Sequence, residues 1–302
     1  MTRKFLLILA VLAVVAAACA PEEETPPADD GATSEPAPVD AASCASDAGT
    51  VSEGVLTVGT GNPAFPPWWE GGTSEENADW EFNDPYLLEG FEGATVGAVA
   101  EQLGFTPDAI EFVPVPFNKS FAPGPKDFDF VLQQISYSDK RAQAVDFSES
   151  YYDVNQALVS VKGSDIEGAT TLAELQSAKL GAPLGTTSFD YIEQNIQPTE
   201  EPAVYNDLNG AVQGLKNGQV DGIVVDLPTA FFVTAVQIPK GVIVGQFPTV
   251  GAQEYFALAL EKGSALTECL DLALQALKDD GTLPAIQQEW LADNASAPVI
   301  EG

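Results

Sequence analysis

Three observations in the sequence predict an α/β fold. Short apolar runs bounded by glycine alternate with segments of helical periodicity between residues 54 and 292. Hydrophobic residues make up 45% of the 302, enough to fill the core of one large domain or two medium ones. No internal repeat of solenoid length is visible. Alternation of this kind favours parallel sheets flanked by helices.

The elements follow in order. Residues 54–59 (GVLTVG) form a short apolar strand between glycines. An irregular, aromatic-rich stretch leads to a helix over 90–104, where Phe91, Val96, Val99, Ala100 and Leu103 fall at roughly helical spacing and Gly104 can cap the end. Strands are expected at 110–115 and 128–135, and again at 179–184, 203–205 and 221–225. Helices at 188–196 and 208–215 lie among the later ones. Two more helices, 266–278 and 283–292, are separated by Asp280-Gly281.

Charge and composition exclude much. The chain carries 45 acidic and 12 basic side chains, a formal charge of −33, and no histidine. Without histidine there is no Ser-His-Asp or Cys-His pair and no imidazole zinc site. The negative charge repels polyphosphate, so nucleic acid and anionic membrane surfaces are poor partners. No catalytic residue, metal or cofactor is expected.

The first residues read as an export address. Arg3 and Lys4 precede an apolar run over 5–18, 14 residues long, whereas a membrane-spanning helix takes about 20. Three alanines then lead into Cys19, the layout of a signal peptide over 1–18 with its processing site. The segment resembles a bacterial lipoprotein signal, in which Cys19 becomes the lipidated first residue. An ordinary signal peptide with an incidental cysteine is the alternative. Residues 19–50 hold eight carboxylates, no base and scattered Pro, Ala and Ser. Such a stretch cannot bury enough apolar surface to offset its ordering entropy, so it is expected to be an extended tether. Cys44 and Cys269 remain, and outside the cytoplasm two leftover cysteines are expected to pair; two buried free thiols are the alternative.

One residue points at a site. The only arginines are Arg3 and Arg141, and Arg3 leaves with the signal peptide. A planar guanidinium fork matches a carboxylate as lysine cannot. Arg141 therefore grips an anionic or zwitterionic ligand, or else forms a lone structural ion pair. Composition leaves both open.

The neighbourhood decides between them. Ser136-Tyr137-Ser138-Asp139-Lys140-Arg141 runs into Val145-Asp146-Phe147-Ser148 and Tyr151-Tyr152. This resembles the polar amino-acid binding proteins of ABC importers, solute-binding protein family 3. The likeness continues through 56–68 (LTVGTGNPAFPPW), Gly90-Phe91-Glu92, Leu184-Gly185-Thr186-Thr187, 219–226 (QVDGIVVD), and Asp280-Gly281-Thr282 with Ile286 and Trp290. Each motif alone is weak, but together they run in order over about 240 residues.

The resemblance implies a two-lobed type II periplasmic-binding-protein clamshell, each lobe a mostly parallel sheet flanked by helices. Lobe one would comprise 51–154 and 251–302, and lobe two 155–250, with both chain ends in lobe one. A ligand would be held between lobes that close on a hinge. Arg141 would chelate its α-carboxylate, helped by Ser136 and by the backbone N–H of Thr187. Asp226 and the Gln134 carbonyl would accept from its α-ammonium. Phe65 and Trp68 would wall its side chain, with Asn62 near the position that reads that side chain. Asn62 is neutral and Pro183 adds no cation, so a neutral polar amino acid is favoured.

The implied role is capture of an amino acid outside the membrane and delivery to ABC permease subunits, by a monomer anchored to the bacterial cell membrane through lipid. Two alternatives share the fold: a cyclohexadienyl dehydratase-like lyase, and a ligand-sensing subunit of a receptor. The insert over 70–88 and the stretch over 121–127 receive no role from the sequence.

Overall fold

The computed structural model describes residues 40–72, 77–291 and 296–302. The expected signal peptide, Cys19 and the tether up to residue 39 lie outside them. The tether does not extend to residue 50, because Ala41–Ala48 is a helix. Asp40 caps it by accepting from the Ser43 N–H at 2.7 Å, and Ala41 and Ala45 are buried in the first lobe's core. Cys44 of this helix is bonded to Cys269 in the helix Leu266–Asp279. A small apolar face and a covalent tie order a stretch whose composition looks unstructured.

Ten strands make two sheets among the described residues. They are β1 (Leu56–Thr60), β2 (Ile110–Pro114), β3 (Phe130–Val131), β4 (Val145–Asp153), β5 (Gln156–Val161), β6 (Leu180–Pro183), β7 (Ala203–Tyr205), β8 (Gly222–Asp226), β9 (Gly241–Gln246) and β10 (Tyr255–Glu261). Their orders are β2-β1-β3-β10-β4 and β7-β6-β8-β5-β9. The parallel half of each sheet is what strand–helix alternation predicts: β1 pairs with β2 and β3, and β6 with β7 and β8. The antiparallel half comes from β10 in one sheet and β5 in the other. Each sheet is therefore mixed. β1 is buried along its whole length, Thr57 and Thr60 included.

The two lobes are joined where β4 passes into β5 at Val154 and Asn155, and where β9 returns to β10 through 247–254. One expectation fails at the C-terminus. Residues 297–302 pack on the second lobe rather than the first: Val299 pairs with Gln246, Glu301 with Thr171, and Ile300 is buried in that lobe's core. Gly245 makes room, since a side chain there would collide with the Pro298 carbonyl and with Ile300. The strand expected over 128–135 shrinks to Phe130–Val131, and the helix expected over 188–196 begins at Thr187 and finishes as a π-turn over Ile192–Ile196. Among the described residues no helix is long and apolar enough to cross a membrane.

The cross-link closes a loop with a sequence separation of 225. The chain-entropy account assigns roughly 5 kcal/mol to so long a loop, with typical measured values of about 2–4 kcal/mol. Replacing both cysteines by alanine is expected to lower the urea midpoint by a corresponding amount. Equal midpoints for the two proteins would show that the bridge adds nothing to stability.

Candidate functional site

Parallel α/β sheets place ligands outside the carboxyl ends of their strands. Here the last residues of β1, β2, β6 and β8, namely Thr60, Pro114, Pro183 and Asp226, all line one cavity of about 740 Å³ between the lobes. Seven of the eight expected ligand-binding residues line it: Arg141, Asp226, Ser136, Thr187, Phe65, Gln134 and Asn62. Trp68 does not. It is 2% exposed in the first lobe's core, and its indole Nε1 donates to Thr229 Oγ1 of the second lobe at 3.3 Å. Its neighbour Trp69 lines the cavity instead.

Arg141 opens a short 3-10 turn and is only 8% exposed. Its Nη1 donates to the Ser136 carbonyl, and its Nη2 to the Gly185 carbonyl across the cleft at 2.8 Å. Gly185 holds a left-handed φ of 78°, which disfavours a side chain there, and a Cβ would also push the Asn118 amide aside. The guanidinium also lies over the Phe121 ring at 4.3 Å. Among the described residues no carboxylate lies within ion-pairing distance of it. Burial pushes its pKa down while Asp190, Glu254 and Asp226 push it up. An arginine stays charged regardless. Among the described residues two of its five N–H donors are used.

Asp226 sits where β8 turns into the helix Leu227–Phe232, and its side chain makes no cap bond to that helix. Its Oδ1 accepts from Gln156 Nε2 at 2.8 Å. Burial, then the nearby Glu254 carboxylate, pushes its pKa up to about 7, against the opposing pull of Gln156 and Arg141. Gln156 orders the group: its Nε2 also reaches Glu254 Oε2 at 3.1 Å, and its Oε1 accepts from Ser188 Oγ at 2.6 Å. Ser136 Oγ donates to Glu254 Oε1 at 2.6 Å and lies 3.3 Å from Thr187 Oγ1. Thr187 is the first residue of its helix.

Gln134 carries a left-handed φ of 53°, a strained state for a non-glycine residue. Buried Glu92 holds it there. The Glu92 carboxylate accepts the Gln134 backbone N–H at 2.7 Å, its side-chain amide, and the Tyr151 hydroxyl. The Gln134 side chain is thus bound to Glu92. Burial pushes Glu92 up to about 7, and its hydrogen bonds hold it from rising further. Asn62 is also bonded to the insert: its amide donates to the Asp79 carbonyl and accepts the Glu81 N–H, both at 2.9 Å. It anchors the insert.

Sequence reasoning missed Trp69, Phe117, Gln156 and Glu254. Phe117 had a signal, an aromatic residue just past the strand end at 110–115. Trp69 had only its place beside Trp68. Gln156 opens β5 and Glu254 closes the 247–254 return, both at the joins between the lobes, where no motif marks them.

The family model described as bacterial extracellular solute-binding proteins, family 3, matches residues 71–293. The chain is 27% identical over 227 residues to the arginine-binding extracellular protein ArtP of Bacillus subtilis, covering 72% of this chain and 84% of that protein. It is 31% identical over 168 residues to the L-cystine-binding protein TcyJ of Escherichia coli K12, covering 55% of this chain and 60% of that one. Among solved structures, an ancestral arginine-binding protein bound to glutamine aligns with a TM-score of 0.63 at 29% identity, covering 79% of this chain and 98% of that chain.

Proposed function

We propose a function from one premise: this chain belongs to the bacterial extracellular solute-binding proteins, family 3. It captures a polar amino acid between its lobes outside the membrane and delivers it to an ABC permease, held nearby by lipid on Cys19. The observation that carries this reading is the pairing of opposite charges in one cavity, Arg141 from the first lobe and Asp226 from the second. A zwitterion has the matching ends.

The remaining N–H donors of Arg141 take the α-carboxylate, with Ser136 and the backbone N–H of Thr187 completing its shell. Asp226 accepts from the α-ammonium, and the Gln134 carbonyl is its second acceptor. Phe65 lies along the side chain. Chemistry on the ligand has no part in this account, which needs only binding and hinge closure.

Calorimetry of the folded domain against the twenty amino acids tests it. Saturable heat with one or a few polar members is expected. Silence across the panel overturns the reading, and product formation from prephenate or arogenate replaces it with the lyase.

A further inference from the structure

The described residues 77–88 of the insert are built onto the pocket wall. Trp80 anchors it in the first lobe's core at 4% exposure. From that anchor, residues 79–83 reach back to the aromatic loop. Asn62 bonds both the Asp79 carbonyl and the Glu81 N–H, the Ala64 N–H donates to the Glu81 carbonyl at 3.1 Å, and Asn83 Nδ2 donates to the Ala64 and Trp69 carbonyls at 2.8 Å each. These bonds fall on both sides of Phe65.

Phe82 is the unusual member. Its φ is 73°, where a bulky side chain is strained, and its ring is 48% exposed. Such a conformation persists only where its surroundings over-determine it. What the strain achieves is placement: the Phe82 ring stands 5.1 Å from Phe65, while Phe232 of the second lobe stands 6.1 Å from Phe65. Phe65 lines the cavity and Phe82 does not. The wall ring therefore packs against both a ring from the insert and a ring from the opposite lobe.

We propose that residues 79–83 are a brace that fixes Phe65 as the wall against the ligand's side chain, with Phe82 a positioning residue that sets selectivity for side-chain length. This rests on the amino-acid reading of the same cavity. A long side chain lies against Phe65 and senses its position. A ligand that ends at Cβ is held by Arg141 and Asp226 and does not. Asn62 lines the same cavity and ties its wall to the brace through its amide oxygen and one N–H.

The test compares affinities across the amino-acid panel for wild type, Phe82→Ala, Phe82→Tyr and Asn83→Ala, with thermal melts as a control on folding. Phe82→Ala is expected to weaken the longest ligand bound by about three- to tenfold, the scale of one aromatic pair. Glycine and alanine should stay within about twofold. Phe82→Tyr restores the ratio, and Asn83→Ala shifts it in the same direction as Phe82→Ala. A uniform change across ligands, or none, overturns the brace while leaving the functional reading intact. A wild type that takes no amino acid longer than alanine also overturns it, and one silent toward the whole panel overturns the functional reading with it.

Discussion

Arg141→Ala is expected to remove measurable amino-acid binding while the protein stays folded. Hydrogen bonds to charged groups contribute about 1.5–3 kcal/mol each, and micromolar affinity corresponds to roughly 8 kcal/mol. Losing two such bonds weakens binding about 10²- to 10⁴-fold, out of a calorimeter's range for a micromolar ligand. The variant also loses the bonds to the Ser136 and Gly185 carbonyls and the stacking on Phe121, so its melting temperature should drop. Arg141→Lys separates charge from shape. It keeps the cation without the fork, and its affinity should fall between wild type and alanine. Wild-type affinity in a folded Arg141→Ala protein would remove the guanidinium from the site.

The second large effect is a pH dependence centred on Asp226. Its carboxyl is pushed up to about 7, and only the ionised form attracts an ammonium. Affinity should therefore be full above about pH 8 and fall close to tenfold per unit below about 7. Stability of the ligand-free protein runs the opposite way. The folded pKa lies above the ordinary 3.8, so the folded state holds the extra proton between about 3.8 and 7. That contribution is complete below 3.8 and is lost as pH rises through 7. Glu92, pushed from 4.5 to about 7, adds in the same direction. Asp226→Asn should weaken binding and flatten its pH profile while leaving the Glu92 part of the stability trend. An affinity constant between pH 8 and pH 5.5 in the wild type would contradict this account.

The parts of the molecule legible in sequence are those where one local pattern has one physical cause. Buried parallel strands such as β1 and β8 are short apolar runs. Arg141 stood out because arginine is scarce in an acidic chain, and Cys44 with Cys269 because two cysteines were left outside the cytoplasm. What was missed depends on distant contacts. Strands β4, β5, β9 and β10 carry polar residues at the ends that join the lobes, and their pairing partners lie far along the chain. Trp68 and Trp69 are adjacent, chemically identical and equally buried in the first lobe's core, so only the backbone path decides that the second also borders the cavity. Asn62 lines the cavity, but its two bonds to the main chain of the insert have no signal in the sequence. The final segment looked like a continuation of the first lobe because nothing in 296–302 marks Gln246 and Thr171 as its partners.

That last placement gives the molecule two separate handles. The helix Ala41–Ala48 is stapled to the first lobe through Cys44, while Ile300 is rooted among the apolar side chains of the second. Dyes attached beside residue 40 and beside residue 302 sit on different lobes, so a change in resonance energy transfer on adding amino acid is the expected sign of cleft closure, without touching any residue that lines the cavity.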